Sequence, residues 1–165
     1  MILLLNLEDF KKEKAMSKTI DRNLKVYTSF VTAENMVKLM EQNYLPIFIL
    51  RSIGKSDTIG KYSNTSIHVK DLSPSDDLFH KKRDNDIDFA TFSKQYIEEI
   101  CTNIKDFHEL IKNLCFLARI SNAKGIVLMG YGKDYETSHR KVLSDFLNSQ
   151  NFFDNKITEF NYEEE

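Results

Sequence analysis

The chain has 165 residues, 41% of them apolar with 12 Phe and 7 Tyr, and carries 23 basic against 25 acidic side chains for a net charge of −2. That length suits one domain of the usual ~100–200 residues with a substantial core. The near-neutral balance argues against nucleic acid as a partner, since a duplex binder needs a basic face, but allows a local pocket built from a few cations.

The opening run Met1-Ile2-Leu3-Leu4-Leu5-Asn6 is too short for a secretory h-region of about 7–15 residues, lacks a preceding basic residue and is followed by Glu8-Asp9. No stretch approaches the ~20 apolar residues of a membrane span. The expectation is a cytoplasmic protein with no membrane contact. Residues 1–24, with Lys11, Lys12, Glu13 and Lys14, read as a charged leader, a loose arm or a short added helix with no catalytic part.

Lys25-Val26-Tyr27-Thr28-Ser29 begins the folded part as a short strand of β-formers. Thr32 is placed to cap a helix whose apolar stripe is Met36, Val37, Leu39 and Met40. Leu45 to Leu50 is apolar on both faces, as a central parallel strand requires, with Pro46 near its start. That strand ends at Arg51-Ser52-Ile53-Gly54. A polar stretch follows with a short strand at Ser66–Val69, and Asp71-Leu72-Ser73-Pro74-Ser75 reads as an irregular turn.

A helix from about Asp88 should bury Phe89, Phe92, Tyr96 and Ile100. A second opens at Asp106, with Glu109 at capping-box spacing, and buries Phe107, Leu110, Ile111, Leu114, Leu117 and Ala118. Ile126 to Met129 is another fully apolar strand. After it a helix starting near Thr137 turns Val142, Leu143, Phe146 and Leu147 inward, and Lys156 to Tyr162 forms an edge strand. Residues 163–165 are an acidic tail. Cys101 and Cys115, both on helices, read as inert core thiols in a reducing compartment.

The order of elements predicts a single α/β domain over residues 25–162, a largely parallel sheet of about four to five strands flanked by helices. Open parallel sheets bind ligands outside the carboxyl ends of their strands. Topology therefore gathers Thr28, Ser29, Arg51 and the segment Gly130–Arg140 on one edge. Within that segment, a loop runs from a buried strand into a helix N-terminus and aims backbone N–H groups at one spot. Lys133 and Arg140 could complete a phosphate or carboxylate pocket there, with Tyr131 orienting the ligand. His139, kept neutral by the helix N-terminus, is a candidate acid or base beside Ser138. The plainer alternatives are that Arg140 pairs with Asp134, Glu136 or Asp145, and that His139 packs beside the sheet on a backbone bond. Arg51, directly after a buried strand, must reach water or pair with something fixed; a ligand role is the favoured reading.

Several motifs are excluded. Asp134 follows Gly132-Lys133 where a P-loop needs Ser or Thr, and the third glycine of a dinucleotide fingerprint is missing. Asp84 to Asp88 begins like a calcium loop, but Phe89 replaces its glycine and Gln95 its terminal glutamate, leaving a solvated helix cap. His68, His80 and His108 lack ligand spacing, so no metal is expected. Ser29, Ser52 and Ser138 lack the serine-hydrolase elbow. No pattern names a cofactor.

The order of Val26-Tyr27-Thr28-Ser29-Phe30, Arg51, Asp71-Leu72-Ser73-Pro74-Ser75, Phe92 to Tyr96 with Glu98 or Glu99, and Gly130-Tyr131-Gly132-Lys133 with Ser138-His139-Arg140-Lys141-Val142-Leu143 resembles a bacterial family. This is domain of unknown function 488, which includes the YeaO-like proteins, and the resemblance runs from about Lys25 to Tyr162. It implies a compact cytosolic α/β domain with no established reaction. The family's strand-loop-helix reads cysteine-tyrosine-glutamate, then cysteine-histidine-arginine. Tyr131, His139 and Arg140 match it, whereas Gly130 and Ser138 replace the cysteines and Gly132 replaces the acid. The chain thus resembles a divergent member without the family's thiols, and anion binding through Arg51 is the shared capacity implied.

Two functions fit. One is a protein that binds a phosphorylated or nucleotide-like small molecule at this edge, with hydrolase- or transferase-type chemistry. The other is a non-catalytic ligand-sequestering or protein-interaction module on the same scaffold.

Overall fold

The computed structural model describes residues 19–51 and 67–163. Most of the leader, Ser52-Ile53-Gly54, Ser66 and the end of the acidic tail lie outside the described residues. Five strands, β1 (Lys25–Phe30), β2 (Tyr44–Phe48), β3 (Ile67–His68), β4 (Gly125–Gly130) and β5 (Thr158–Glu159), form one sheet in the order β3-β2-β4-β1-β5. Every pairing is parallel. Among the described residues the helices are α1 (Ala33–Glu41), α2 (Asp76–Arg83), α3 (Phe89–Asn103), α4 (Phe107–Ile120) and α5 (His139–Ser149), with 3-10 turns at Lys70–Leu72 and Tyr135–Thr137.

β4 is the centre because all its residues are buried and both neighbours can pair with it, in the register Thr28–Leu128 and Ile47–Leu128. One sheet face, carrying Val26, Ile47, Ile49, Ile126 and Leu128, packs against α3, α4 and α5 through Phe92, Tyr96, Leu114, Leu143 and Leu147. The other, carrying Phe48, Leu50, Val127 and Met129, is covered by Met36 and Leu39 of α1. Each such fully buried large side chain contributes about 1.5–3 kcal/mol relative to exposure. The layers are unequal, and the heavier one holds the chemistry-bearing side chains.

The caps follow the expected chemistry: Thr32, Asp88 and Asp106 side chains accept from Asn35, Thr91 and Glu109 N–H groups. The segment after the Asp71–Ser75 turn departs from the irregular reading and forms α2. Its signal is electrostatic, with Ser75 capping Leu78 N–H, Asp76 and Asp77 in the first turn, and Lys81, Lys82 and Arg83 in the last. Apolar periodicity misses it because Leu78 is its only buried residue. Three further expectations are corrected. The α1 stripe is narrower than expected, since Val37 and Met40 are 42% and 43% exposed. α5 starts at His139 with Ser138 as N-cap, because Tyr135–Thr137 takes the tighter turn. Cys101 is exposed, and of the two thiols only Cys115 is buried. No helix among the described residues is long and apolar enough to cross a membrane.

Candidate functional site

The carboxyl edge of the sheet has two corners. At the first, β4 must end in Gly130: a Cβ there would lie 2.8 Å from His139 Cε1 and 3.1 Å from Arg140 Cγ. Both side chains occupy the space a residue at 130 would otherwise fill.

Arg140 is 1% exposed. Its Nη2 donates to Glu159 Oε1 at 3.2 Å and Nε to Oε2 at 3.5 Å. Its Nη1 donates to the Gly132 carbonyl at 2.5 Å, with the Tyr131 and Gly130 carbonyls at 3.4 and 3.5 Å. Glu159 Oε2 also accepts from Thr28 Oγ1 at 2.8 Å. Taking a guanidinium out of water costs several kcal/mol, and this set of acceptors offsets it. Gly132, at φ 98°, supplies the left-handed turn that the loop needs here. Arg140 therefore ties β5, β1 and the loop after β4 together.

His139 is also buried. Its Nε2 lies 2.9 Å from the Ile49 carbonyl, which can only accept, so Nε2 carries the proton. Burial lowers its pKa from 6.5 to about 4, opposed by that hydrogen bond and reinforced by Arg140, Lys82 and Arg51. The ring is neutral at pH 7. Tyr96 stands edge-on to it at 5.7 Å and donates its hydroxyl to the Leu72 carbonyl at 2.5 Å. Burial also raises the Tyr96 phenol above its usual range. Ser138 is 2% exposed and donates to the Tyr135 carbonyl at 3.1 Å.

Thr28 and Ser29 point to opposite sheet faces, as consecutive strand residues must. Thr28 meets Glu159, whereas Ser29 Oγ lies 2.5 Å from the Tyr162 hydroxyl. Burial, against the help of Ser29, pushes that phenol up to about 12. Tyr131 is half-buried beside the α1 layer and Lys133 is exposed.

The second corner lies where β2 leaves the sheet. The Arg51 guanidinium carbon sits 3.7 Å from the centroid of the Phe79 ring, and Nη1 pairs with Asp76 Oδ1 at 2.5 Å. Arg51 is 26% exposed there and Asp76 77%. They border a cleft of about 760 Å³ whose walls include Lys70, Asp71, Ser73, Ser75, Glu98 and Glu99. Glu99 accepts from the Ser75 hydroxyl at 2.5 Å and from its N–H at 2.9 Å, which fixes the start of α2 against α3. At the other end of α2, Lys82 donates to the Thr137 carbonyl and lies 4.9 Å from the Phe92 ring centroid. Burial lowers the Lys82 pKa, opposed by Asp134.

Of the residues expected at the site, Arg51 alone lines this cleft. Arg140, His139, Ser138 and Thr28 gather at the first corner. Ser29 faces the other layer, and Lys133 lies exposed on the loop after β4. Phe79, Asp76 and Glu99 were not singled out as site residues, although Glu99 and the turn before α2 belong to the pattern that suggested the family. No group of three or more His, Cys, Asp or Glu side chains able to hold a metal occurs among the described residues.

A family model described as "Active DUF488-N3 subclade" matches residues 45–151, from β2 through α5 and well over half of the chain. No curated protein and no solved structure gives a significant match.

Proposed function

The chain belongs to the DUF488 family, and we propose that it binds a phosphorylated or nucleotide-like small molecule in the cleft beside Arg51. The observation that carries this reading is the Arg51 guanidinium, its central carbon 3.7 Å from the Phe79 ring centroid, at the mouth of that cleft. A stacked guanidinium keeps its donors in one plane, pre-organised for bidentate phosphate recognition. Its partner Asp76 is mostly exposed, so their ion pair is worth about 0–1 kcal/mol and yields to a better anion. Lys70 adds a second cation at the cleft wall. The carboxylates of Asp71 and Glu98 in the same walls suit the hydroxyl or amino donors of a sugar or nucleoside portion.

Hydrolase or transferase chemistry was expected of Ser138 and His139. Both donate to backbone carbonyls away from the cleft, which favours binding without turnover. The two free cysteines suit a reducing, cytoplasmic setting.

A thermal-shift screen of nucleotides, sugar phosphates and inorganic phosphate tests this reading on the wild type and on Arg51→Ala. A ligand at 100 times its Kd adds about 2.7 kcal/mol, or several degrees of Tm. Stabilisation of the wild type that is lost in Arg51→Ala is expected. No stabilising compound, or equal stabilisation of the variant, contradicts the proposal.

A further inference from the structure

We infer that His68 and His139 are positioning residues for Arg51: their imidazoles hold the two peptide carbonyls just before it and so fix how its side chain leaves the sheet. The binding consequence rests on the proposed cleft, but the positioning itself is measurable without any ligand.

The argument starts from the end of the β2 ladder. Ile49 N–H still donates to the Met129 carbonyl at 2.9 Å, and Val69 N–H to the Phe48 carbonyl at 2.8 Å. Beyond these bonds the neighbours leave. β4 stops at Gly130, and the chain after β3 enters the 3-10 turn at Lys70–Leu72. Continued strands would have supplied N–H donors to the carbonyls of Ile49 and Leu50. Both residues are buried, at 0% and 1% exposure, and buried carbonyls left without donors are costly.

Two side chains replace the missing backbone donors. His139 Nε2 reaches the Ile49 carbonyl at 2.9 Å, and His68 Nε2 reaches the Leu50 carbonyl at 2.6 Å. Successive carbonyls of an extended chain point to opposite sides, so the rings approach from the β4 side and the β3 side respectively. Each peptide plane ahead of Arg51 is thus pinned from a different neighbour. The His139 ring fits only because residue 130 is glycine. Neither histidine lines the cleft, so each acts through the direction it gives Arg51.

His68 is the better site for a test, because it is exposed and its replacement leaves the core intact. In His68→Ala the Leu50 carbonyl loses its donor. In His68→Gln an amide N–H of similar reach restores it. Side-chain NMR of Arg51 reports its stacking directly, since the Phe79 ring shifts the Arg51 Hε signal. The Arg51 signal should move toward that of a free arginine in His68→Ala and stay near its wild-type position in His68→Gln. Affinity for a sugar phosphate should fall about fivefold in the alanine variant, the size of one hydrogen bond, and recover to within about twofold in the glutamine variant.

An unmoved Arg51 signal in His68→Ala overturns the inference whether or not the protein binds phosphates. A signal that glutamine fails to restore overturns the donor role. A signal that moves and is restored supports the positioning role even if the wild type binds no sugar phosphate, a result that would instead count against the cleft as the binding site.

Discussion

Arg51 and Arg140 stand at the same edge of the same parallel sheet, and the structure uses them in opposite ways. Arg140 is 1% exposed and surrounded by Glu159 and the carbonyls of Gly130, Tyr131 and Gly132. Arg51 lies on an aromatic ring at a cleft mouth, with an exposed aspartate as its ion-pair partner. The first arrangement commits all three guanidinium nitrogens to holding the fold. The second orients a cation and leaves it exchangeable. Residue type and strand-end position are shared, so the difference comes from what the surrounding chain offers each guanidinium.

The largest expected effect would break the comparison if it failed. Arg140→Ala leaves Glu159 and the loop carbonyls without their cation, and urea denaturation should show a loss of about 3–5 kcal/mol. A loss below about 1 kcal/mol would make Arg140 a surface-like charge and remove the contrast.

Next is the pH response of the same corner. His139 has its pKa lowered from 6.5 to about 4 in the folded chain. Above about pH 6.5 it is neutral in both states and its contribution is fully present. As pH falls from there toward 4, the unfolded chain takes up a proton that the folded chain refuses, and stability drops by up to about 3 kcal/mol. Urea titrations at pH 7 and pH 4.5 should show this drop in the wild type and a smaller one in His139→Gln.

Gly130→Ala sharpens the picture further. The new methyl group meets a ring pinned by a hydrogen bond, and overpacking of this kind costs about 1–3 kcal/mol. Thermal melts should show the loss, and displacement of the His139 ring from the Ile49 carbonyl should also move the Arg51 side-chain signal. The smallest stability effect is expected for Arg51→Ala, within about 1 kcal/mol of wild type by the same melts, because among the described residues it removes an ion pair to an exposed aspartate and one stacking contact.

Much of this was legible in the residues themselves. β2 and β4 announce themselves as apolar on both faces, and the parallel order with Arg51 and Gly130–Arg140 at one edge follows from topology. Side-chain-to-backbone caps at Thr32, Asp88 and Asp106 were equally readable. The division of labour between the arginines was not, because it depends on long-range partners. Glu159 lies in a two-residue edge strand with no pattern to mark it, and Phe79 lies on a short helix that apolar periodicity overlooks. The alternation rule could have shown that Thr28 and Ser29 face opposite layers, so they could not serve one ligand together. The pairing of His68 with Leu50 was hidden for another reason: it compensates for a ladder that ends, and ladder ends cannot be placed without the register.

Arginine side-chain NMR of the wild-type protein, followed while a sugar phosphate or nucleotide is titrated in, tests the central claim most directly. The Arg51 Nε–Hε signal should shift progressively and saturate, while the Arg140 signal stays where it is. A shift of Arg140 with Arg51 unmoved would contradict the account and return the anion site to the helix N-terminus beside Gly130.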